Sequence, residues 1–139
     1  MSMIRYSSEK DDLPLDQLDA LFAAIGWRTR GEDRWREALA KSSSVCAAWD
    51  DDRLVGFARI LEDGVMCMFY DVGVLPAYQG RKIGHGLMER LISLVKDRGY
   101  VSIGLFTWEG NAENVPFYES LGFERTEAGM ELRKYMRPE

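Results

Sequence analysis

One change of pattern most constrains this fold. A long apolar run, Val65–Val74, is followed by Pro76, by a glycine-rich turn from Gly80 to Gly86, and by an amphipathic segment. A second apolar run, Val101–Thr107, comes next. Pro76 ends the first run as a strand. After the turn, Leu87, Met88, Leu91, Ile92 and Val95 recur at helical spacing, with Glu89, Arg90, Ser93, Lys96 and Asp97 opposite. Gly99 is placed to cap this helix. Strand, helix and strand in that order need a crossover, and a crossover joins parallel strands.

The chain before this point reads differently. Val45–Trp49 and Leu54–Leu61 are apolar runs separated by the turn formers Asp50–Arg53, and Glu62-Asp63-Gly64 leads into the run at Val65. Three strands joined by short turns make an antiparallel meander. Ahead of them, Met3–Ser7 reads as a short strand. Pro14–Ile25 reads as a helix with Leu15, Leu18, Leu21, Phe22 and Ile25 inward, opened by Pro14 and stopped by Gly26. Glu32–Lys41 reads as a second helix carrying Trp35, Ala38 and Leu39 on one face. Beyond the crossover, Glu113–Leu121 is a short helix stopped by Gly122, and Phe123–Glu127 and Met130–Tyr135 form a closing hairpin around Gly129. The expected class is α/β (α+β): a mixed sheet with helices on both faces.

Size and composition agree. At 139 residues a single domain, 1–139, is expected. An apolar share of 46% and an aromatic share of 12% supply a core and argue against disorder. No apolar run approaches the roughly 18 residues of a membrane span, and Met1–Lys10 lacks the pattern of a signal peptide. A net charge of −5 argues against a general nucleic-acid binder. The two cysteines, Cys46 and Cys67, sit inside apolar runs and suggest neither a disulfide framework nor a metal site. A reducing, cytoplasmic compartment is expected, with no metal and no membrane partner. His85 is the single histidine.

The turn at Gly80–Gly86 carries the chemistry. The first N–H groups of a helix lack internal partners, and the helix dipole adds positive character there. Glycines let such a turn approach an anion, typically a phosphate. Arg81 and Lys82 add cations at the same place in an acidic chain. A P-loop does not fit, because no Gly-Lys-Ser/Thr occurs, and the dinucleotide fingerprint fails because Glu89 stands where a third glycine belongs. Solvated cations beside a flexible helix entry are the plainer alternative.

The run Val74-Leu75-Pro76-Ala77-Tyr78-Gln79-Gly80 and its continuation resemble motif A of the GNAT superfamily, the acyl-CoA-dependent N-acyltransferases. Gln79, Lys82 and Gly84 occupy the signature positions, with Lys82 where the family usually has glycine; Arg81, Gly84 and Gly86 satisfy the pattern in a shifted register. Asn111–Phe123, with Phe117-Tyr118 ahead of Gly122-Phe123, resembles motif B. The resemblance covers about Leu54 to Phe123.

The resemblance implies a mostly antiparallel sheet of six to seven strands, about four helices, and central parallel strands that splay apart. It implies acetyl-CoA as co-substrate. Val72, Gly73 and Val74 are then expected along the pantetheine, and Gln79, Gly80, Arg81, Lys82, Ile83, Gly84 and His85 around the pyrophosphate. Asn111 is expected on the cofactor, and Tyr118 on the departing thiolate. The expected reaction is direct attack of a neutral amine on the thioester. For the base, Tyr70 stands where family members often have glutamate. Asp71 points to the other side of an unbroken strand unless a bulge re-aims it, and Glu109 is a further candidate. Asp71 is the expected base, with Tyr70 positioning water; a purely structural Asp71 is the alternative.

Trp27, Arg28, Thr29, Arg30, Met66, Met68, Tyr70 and Trp108 are candidates for the acceptor wall, with core packing as their alternative role. The leading expectation is an N-acetyltransferase acting on the primary amine of a small molecule. A protein lysine or N-terminal acetyltransferase and a non-catalytic acyl-CoA-binding module are the alternatives. A homodimer follows from family habit alone.

Overall fold

The computed structural model describes residues 3–107, 112–126 and 130. The chain divides into two compact units, Met1–Phe106 and Thr107–Glu139, each treated by itself.

The first unit is a five-stranded mixed sheet with helices on both faces. β1 (Ile4–Ser7), β2 (Ser44–Asp50), β3 (Arg53–Glu62) and β4 (Cys67–Val74) lie in sequence order and pair antiparallel. β5 (Gly104–Leu105) joins β4 in parallel. The helices are α1 (Leu15–Ala24), α2 (Glu32–Lys41) and α3 (Ile83–Val95), and a 3-10 turn, Pro76–Tyr78, precedes α3.

Glycines in the sheet set how close the helices come. A Cβ at Gly56 would sit 3.1 Å from Leu87 and 3.2 Å from Ile83, so α3 packs on that side of β3. Gly73 meets Phe22 of α1. Gly56 pairs with Val74 and Phe57 with Gly73, so these contacts lie on opposite faces. Phe22, Trp35 and Phe57 form the core of the α1–α2 face, and Ile83, Leu87, Met88, Leu91 and Val95 that of α3.

Several boundaries differ from the expected ones. α3 begins at Ile83, so Gly84 and Gly86 belong to its first turn, not to a loop. The reason at Gly86 is steric: a Cβ there would run into the Tyr6 ring, 2.6 Å from Cζ. β5 is two residues long where Val101–Thr107 was expected, because it pairs with β4 only at Met68↔Gly104 and Phe69↔Leu105. Six to seven strands were expected and the described residues form five. Of the closing hairpin, residues 123–126 and Met130 are described and are not strand; its remaining residues lie outside the described set.

The second unit contains α4 (Asn114–Ser120), followed by Gly122 at φ +98°.

Candidate active site

β4 does not run evenly. Phe57 pairs with Gly73 and Arg59 with Tyr70, so Asp71 and Val72 together oppose Ala58. This is a β-bulge, which re-aims side chains next to it. Asp71 has φ +55°, a left-handed conformation that aspartate tolerates better than most residues. An unbroken strand would send Tyr70 and Asp71 to opposite faces. Here both reach the same guanidinium. Arg59 stands 5.4 Å over the Tyr70 ring, and its Nε donates to Asp71 Oδ2 at 2.6 Å.

The other oxygen of Asp71 is engaged as well. Arg30 Nη2 lies 3.1 Å from Oδ1. The Asp71 side chain is 6% exposed, against 13% for Arg59 and 39% for Arg30. A carboxylate this buried needs such partners, since a buried charge without them costs several kcal/mol. Arg59 Nη1 also donates to the Ser42 hydroxyl at 3.3 Å, just past the end of α2.

Arg30 belongs to the α1–α2 connection, which α1 itself organises. Asp19 Oδ1 accepts from the Arg30 amide at 2.8 Å, from the Gly31 amide at 3.3 Å and from Trp35 Nε1 at 3.0 Å. Phe22 stacks on Trp27 at 4.7 Å and on Trp35 at 5.3 Å. The Arg30 guanidinium lies 5.6 Å over Trp27 and 5.2 Å over Trp35. Trp27 stays 39% exposed. Of the expected acceptor-wall residues, Trp27, Arg30 and Tyr70 thus cluster around Asp71. Met66, at the β3–β4 turn, is exposed, and Met68 sits beside Gly104 of β5. Trp108 lies outside the described residues.

Beyond Phe69, the edge of β4 from Tyr70 to Val74 carries no ladder to β5 among the described residues. The glycine-rich turn lies at the end of β4. Gln79 Nε2 donates to the Val74 carbonyl at 3.0 Å, tying the turn back to the strand. Gly80 has φ +84°, with nothing within 4 Å of where a Cβ would stand. Lys82, the residue before α3, has φ +62° and ψ +22°. That conformation is glycine-like, which explains why glycine suits this position of the motif. The first intrahelical bond, from the Gly86 amide to the Lys82 carbonyl at 3.0 Å, leaves the amides of Ile83 and Gly84 ahead of the ladder. His85 shares this first turn and is half-buried. The turn can therefore offer amides to an anion. Arg81 lies 5.0 Å over the Tyr78 ring, whose hydroxyl donates to Asp50. That hydrogen bond to Asp50, more than burial, raises the Tyr78 pKa.

Tyr118 lies in α4 of the second unit. Phe117 and Phe123 meet its ring edge-on at 4.9 Å and 5.9 Å. Burial pushes its hydroxyl up to about 12, so the group stays protonated at neutral pH and can donate. Asn111 and Glu109 lie outside the described residues. Burial also raises Cys46 to about 11 and, with less effect, raises Cys67; both thiols are free, buried and kept protonated.

Arg59 was not singled out from sequence. A signal existed: it is the one charged residue between Leu54 and Leu61, and a charge inside an apolar strand implies a buried partner. Asp19, one of two acidic residues on α1, carried no such mark.

The Acetyltransferase (GNAT) family profile matches residues 10–123. An uncharacterized ycf52-like N-acetyltransferase from Prochlorococcus marinus is 34% identical over 121 residues, covering 84% of this chain and 66% of that protein. Serotonin N-acetyltransferase 2, chloroplastic, from Oryza sativa subsp. japonica is 36% identical over 119 residues, covering 80% of this chain and 56% of that protein. The chain therefore spans less than two thirds of the length of these two relatives. A GNAT-family acetyltransferase structure from Streptococcus pneumoniae superposes with a TM-score of 0.79 at 29% identity, covering 95% of this chain and 99% of that one. Sequence profile and fold agree over most of the molecule, and the chain belongs to the acetyltransferase (GNAT) family.

Proposed function

We propose that this protein transfers the acetyl group of acetyl-CoA to the primary amine of a small molecule by direct attack. The observation that carries this reading is the turn at the end of β4, tied back to Val74 by Gln79, with Lys82 at φ +62° and the amides of Ile83 and Gly84 ahead of the α3 ladder. The residues fit the co-substrate in kind. Val72, Gly73 and Val74 offer strand edge to an amide-bearing arm. Gly80, Arg81, Lys82, Ile83, Gly84 and His85 offer amides and charge to a pyrophosphate, with Gln79 holding the turn; Asn111, outside the described residues, is proposed as a further cofactor contact. No metal enters the scheme.

The amine must attack in its neutral form. A lysine-like amine has pKa about 10.4, so about one in a thousand is neutral near pH 7.4, a deficit of about 4 kcal/mol. Asp71, the expected base, has both oxygens held by Arg59 and Arg30, so it fixes the bulge, and a water positioned by Tyr70 passes the ammonium proton to solvent. The nitrogen forms a bond to the acetyl carbon, the carbon–sulfur bond breaks, the thiolate gains a proton from Tyr118, and the proton the nitrogen then loses restores the Tyr118 hydroxyl through solvent. Strand amides near Val72–Val74 support the developing oxyanion.

The exposed face of Trp27 favours an acceptor with an apolar or aromatic body, in keeping with the substrate named for the rice relative. Two free, buried cysteines suit a reducing compartment such as the cytoplasm, and no helix among the described residues is long and apolar enough to cross a membrane. The test is thiol release from acetyl-CoA against a panel of aromatic and aliphatic amines and of peptides. Turnover of small amines is expected. Turnover of peptides alone would replace the substrate class, and CoA binding without any turnover would reduce the protein to a binding module. Gly84→Asp, which adds bulk and negative charge at the phosphates, is expected to weaken CoA binding.

A further inference from the structure

The α1–α2 connection has an unusual construction. Trp27, Arg28, Thr29 and Arg30 are bracketed by Gly26 at φ +94° and Gly31 at φ +86°, and neither glycine would bring a Cβ within 4 Å of other atoms. The segment thus has a permissive backbone position at each end. Two carboxylates hold it from opposite sides. Asp19 of α1 accepts from the Arg30 and Gly31 amides. Asp71 of β4 pairs with the Arg30 side chain.

Asp71 is also the bulged residue of β4, and its second oxygen is held by Arg59 of β3 at 2.6 Å. One carboxylate therefore joins the segment that displays Trp27 to the bulge of β4. Breaking the Arg30 side of this pair leaves Asp71 with Arg59 and the bulge in place. It leaves the segment held by Asp19 and by the contacts of Trp27 with Phe22.

We propose that Arg30 is a positioning residue for the acceptor: through Asp71 it fixes the Trp27 segment at a set distance from the β4 bulge. This rests on the acetyltransfer reading above for its kinetic consequence, but not for its structural one. The Arg30 guanidinium is engaged by Asp71, Trp27 and Trp35. It acts by holding the acceptor wall, so its removal loosens the amine and not the co-substrate. Small displacements of positioning groups are costly because the reacting atoms must meet at about 3–3.5 Å.

The experiment compares wild type, Arg30→Met, Arg30→Lys and Asp71→Asn. Arg30→Met keeps an unbranched aliphatic stem but removes the guanidinium that pairs with Asp71 and lies over Trp27 and Trp35. It is expected to raise KM for the amine about tenfold, a coupling of ordinary size for interacting neighbours, with the CoA Kd within about twofold of wild type. Arg30→Lys keeps the charge and is expected to recover part of the loss. Equal loss for amine and CoA, or no loss for either, would overturn the proposal. Amide hydrogen exchange provides an arm independent of activity. The Arg30 and Gly31 amides are expected to exchange faster in both Arg30→Met and Asp71→Asn, while the β2–β3 ladder keeps its protection. Unchanged exchange at those two amides in Arg30→Met, whose side chain is partly exposed and whose folding is not at issue, overturns the latch even if no acceptor amine is found. Faster exchange without turnover of any amine supports the latch and counts against the acetyltransfer reading alone.

Discussion

Phe22 and Gly73 touch so closely that any larger residue at 73 forces a shift: a Cβ there would lie 2.8 Å from Phe22 Cε1 and 3.0 Å from Ile25 Cδ1. The ring has little room to retreat, because Trp27 and Trp35 both stack on it. This contact brings α1 down onto β4 two residues after the bulge. Gly73→Ala is therefore expected to cost about 1–3 kcal/mol, as overpacked cores do, and to impair turnover by lifting α1 from the strand. Urea unfolding measures the first effect. A loss below about 0.5 kcal/mol, the range of neutral surface changes, would mean that the ring yields.

Lys82 occupies a left-handed conformation without being glycine, with φ +62°. Side chains in that region cost about 1–2 kcal/mol. Replacing it by glycine and by alanine removes the same charge in both cases. Lys82→Gly is expected to be more stable than Lys82→Ala by about 1 kcal/mol, since glycine's greater freedom when unfolded offsets part of the gain. Both should weaken CoA binding to a similar extent, which separates the backbone effect from the loss of the cation. Thermal melts and calorimetric CoA titrations of the two variants make the comparison.

Tyr118→Phe is expected to lower kcat more than it raises the CoA Kd. The hydroxyl is held at about 12, so its ionisation removes no activity between pH 7 and pH 10. A wild-type kcat that falls in step with ionisation of a group near 10 would contradict this assignment. An unchanged kcat in the variant would remove Tyr118 as the proton donor.

The Cys46 thiol lies in the core, where burial raises it from 9.0 to about 11. The folded state therefore holds this proton more tightly than the unfolded chain. Its stabilising effect is complete below about pH 9 and is lost as the pH rises towards 11. Cys46→Ala should melt lower than wild type at pH 8 because of the small cavity, yet lose less stability between pH 8 and pH 10.5. In the folded wild-type protein at pH 8, Cys46 should resist alkylation that proceeds readily in urea.

Much of the architecture was legible in the residues because it depends on local rules. Three apolar runs with turn formers between them had to pair as neighbours. The 3.6-residue spacing from Leu87 to Val95 had to form a helix with one buried face, and Glu32–Lys41 was found at its observed bounds. The start of α3 was misplaced because glycines read as flexibility. Gly86 is there for a different reason, the Tyr6 ring lying against it. The short β5 was also beyond local reading. Its length is set by which positions pair with β4, Met68 and Phe69, and apolar content alone does not report that.

The same division holds at the site. The order of strand, Pro76, glycine turn and helix, and the pairing of Phe117-Tyr118 with Gly122-Phe123, were determined by sequence and sufficed to suggest the family. They are contiguous, and contiguous motifs survive without knowledge of neighbours. Whether Asp71 faced Tyr70's side of the sheet depended on one extra residue in the β4 register, and sequence alternation allowed either outcome. Tertiary structure decided it: Arg59 from β3 and Arg30 from the α1–α2 connection, 12 and 41 positions away in the chain, converge on that carboxylate and hold it in the bulge. A buried charge is placed by the partners that compensate it, and those partners are neighbours in space alone.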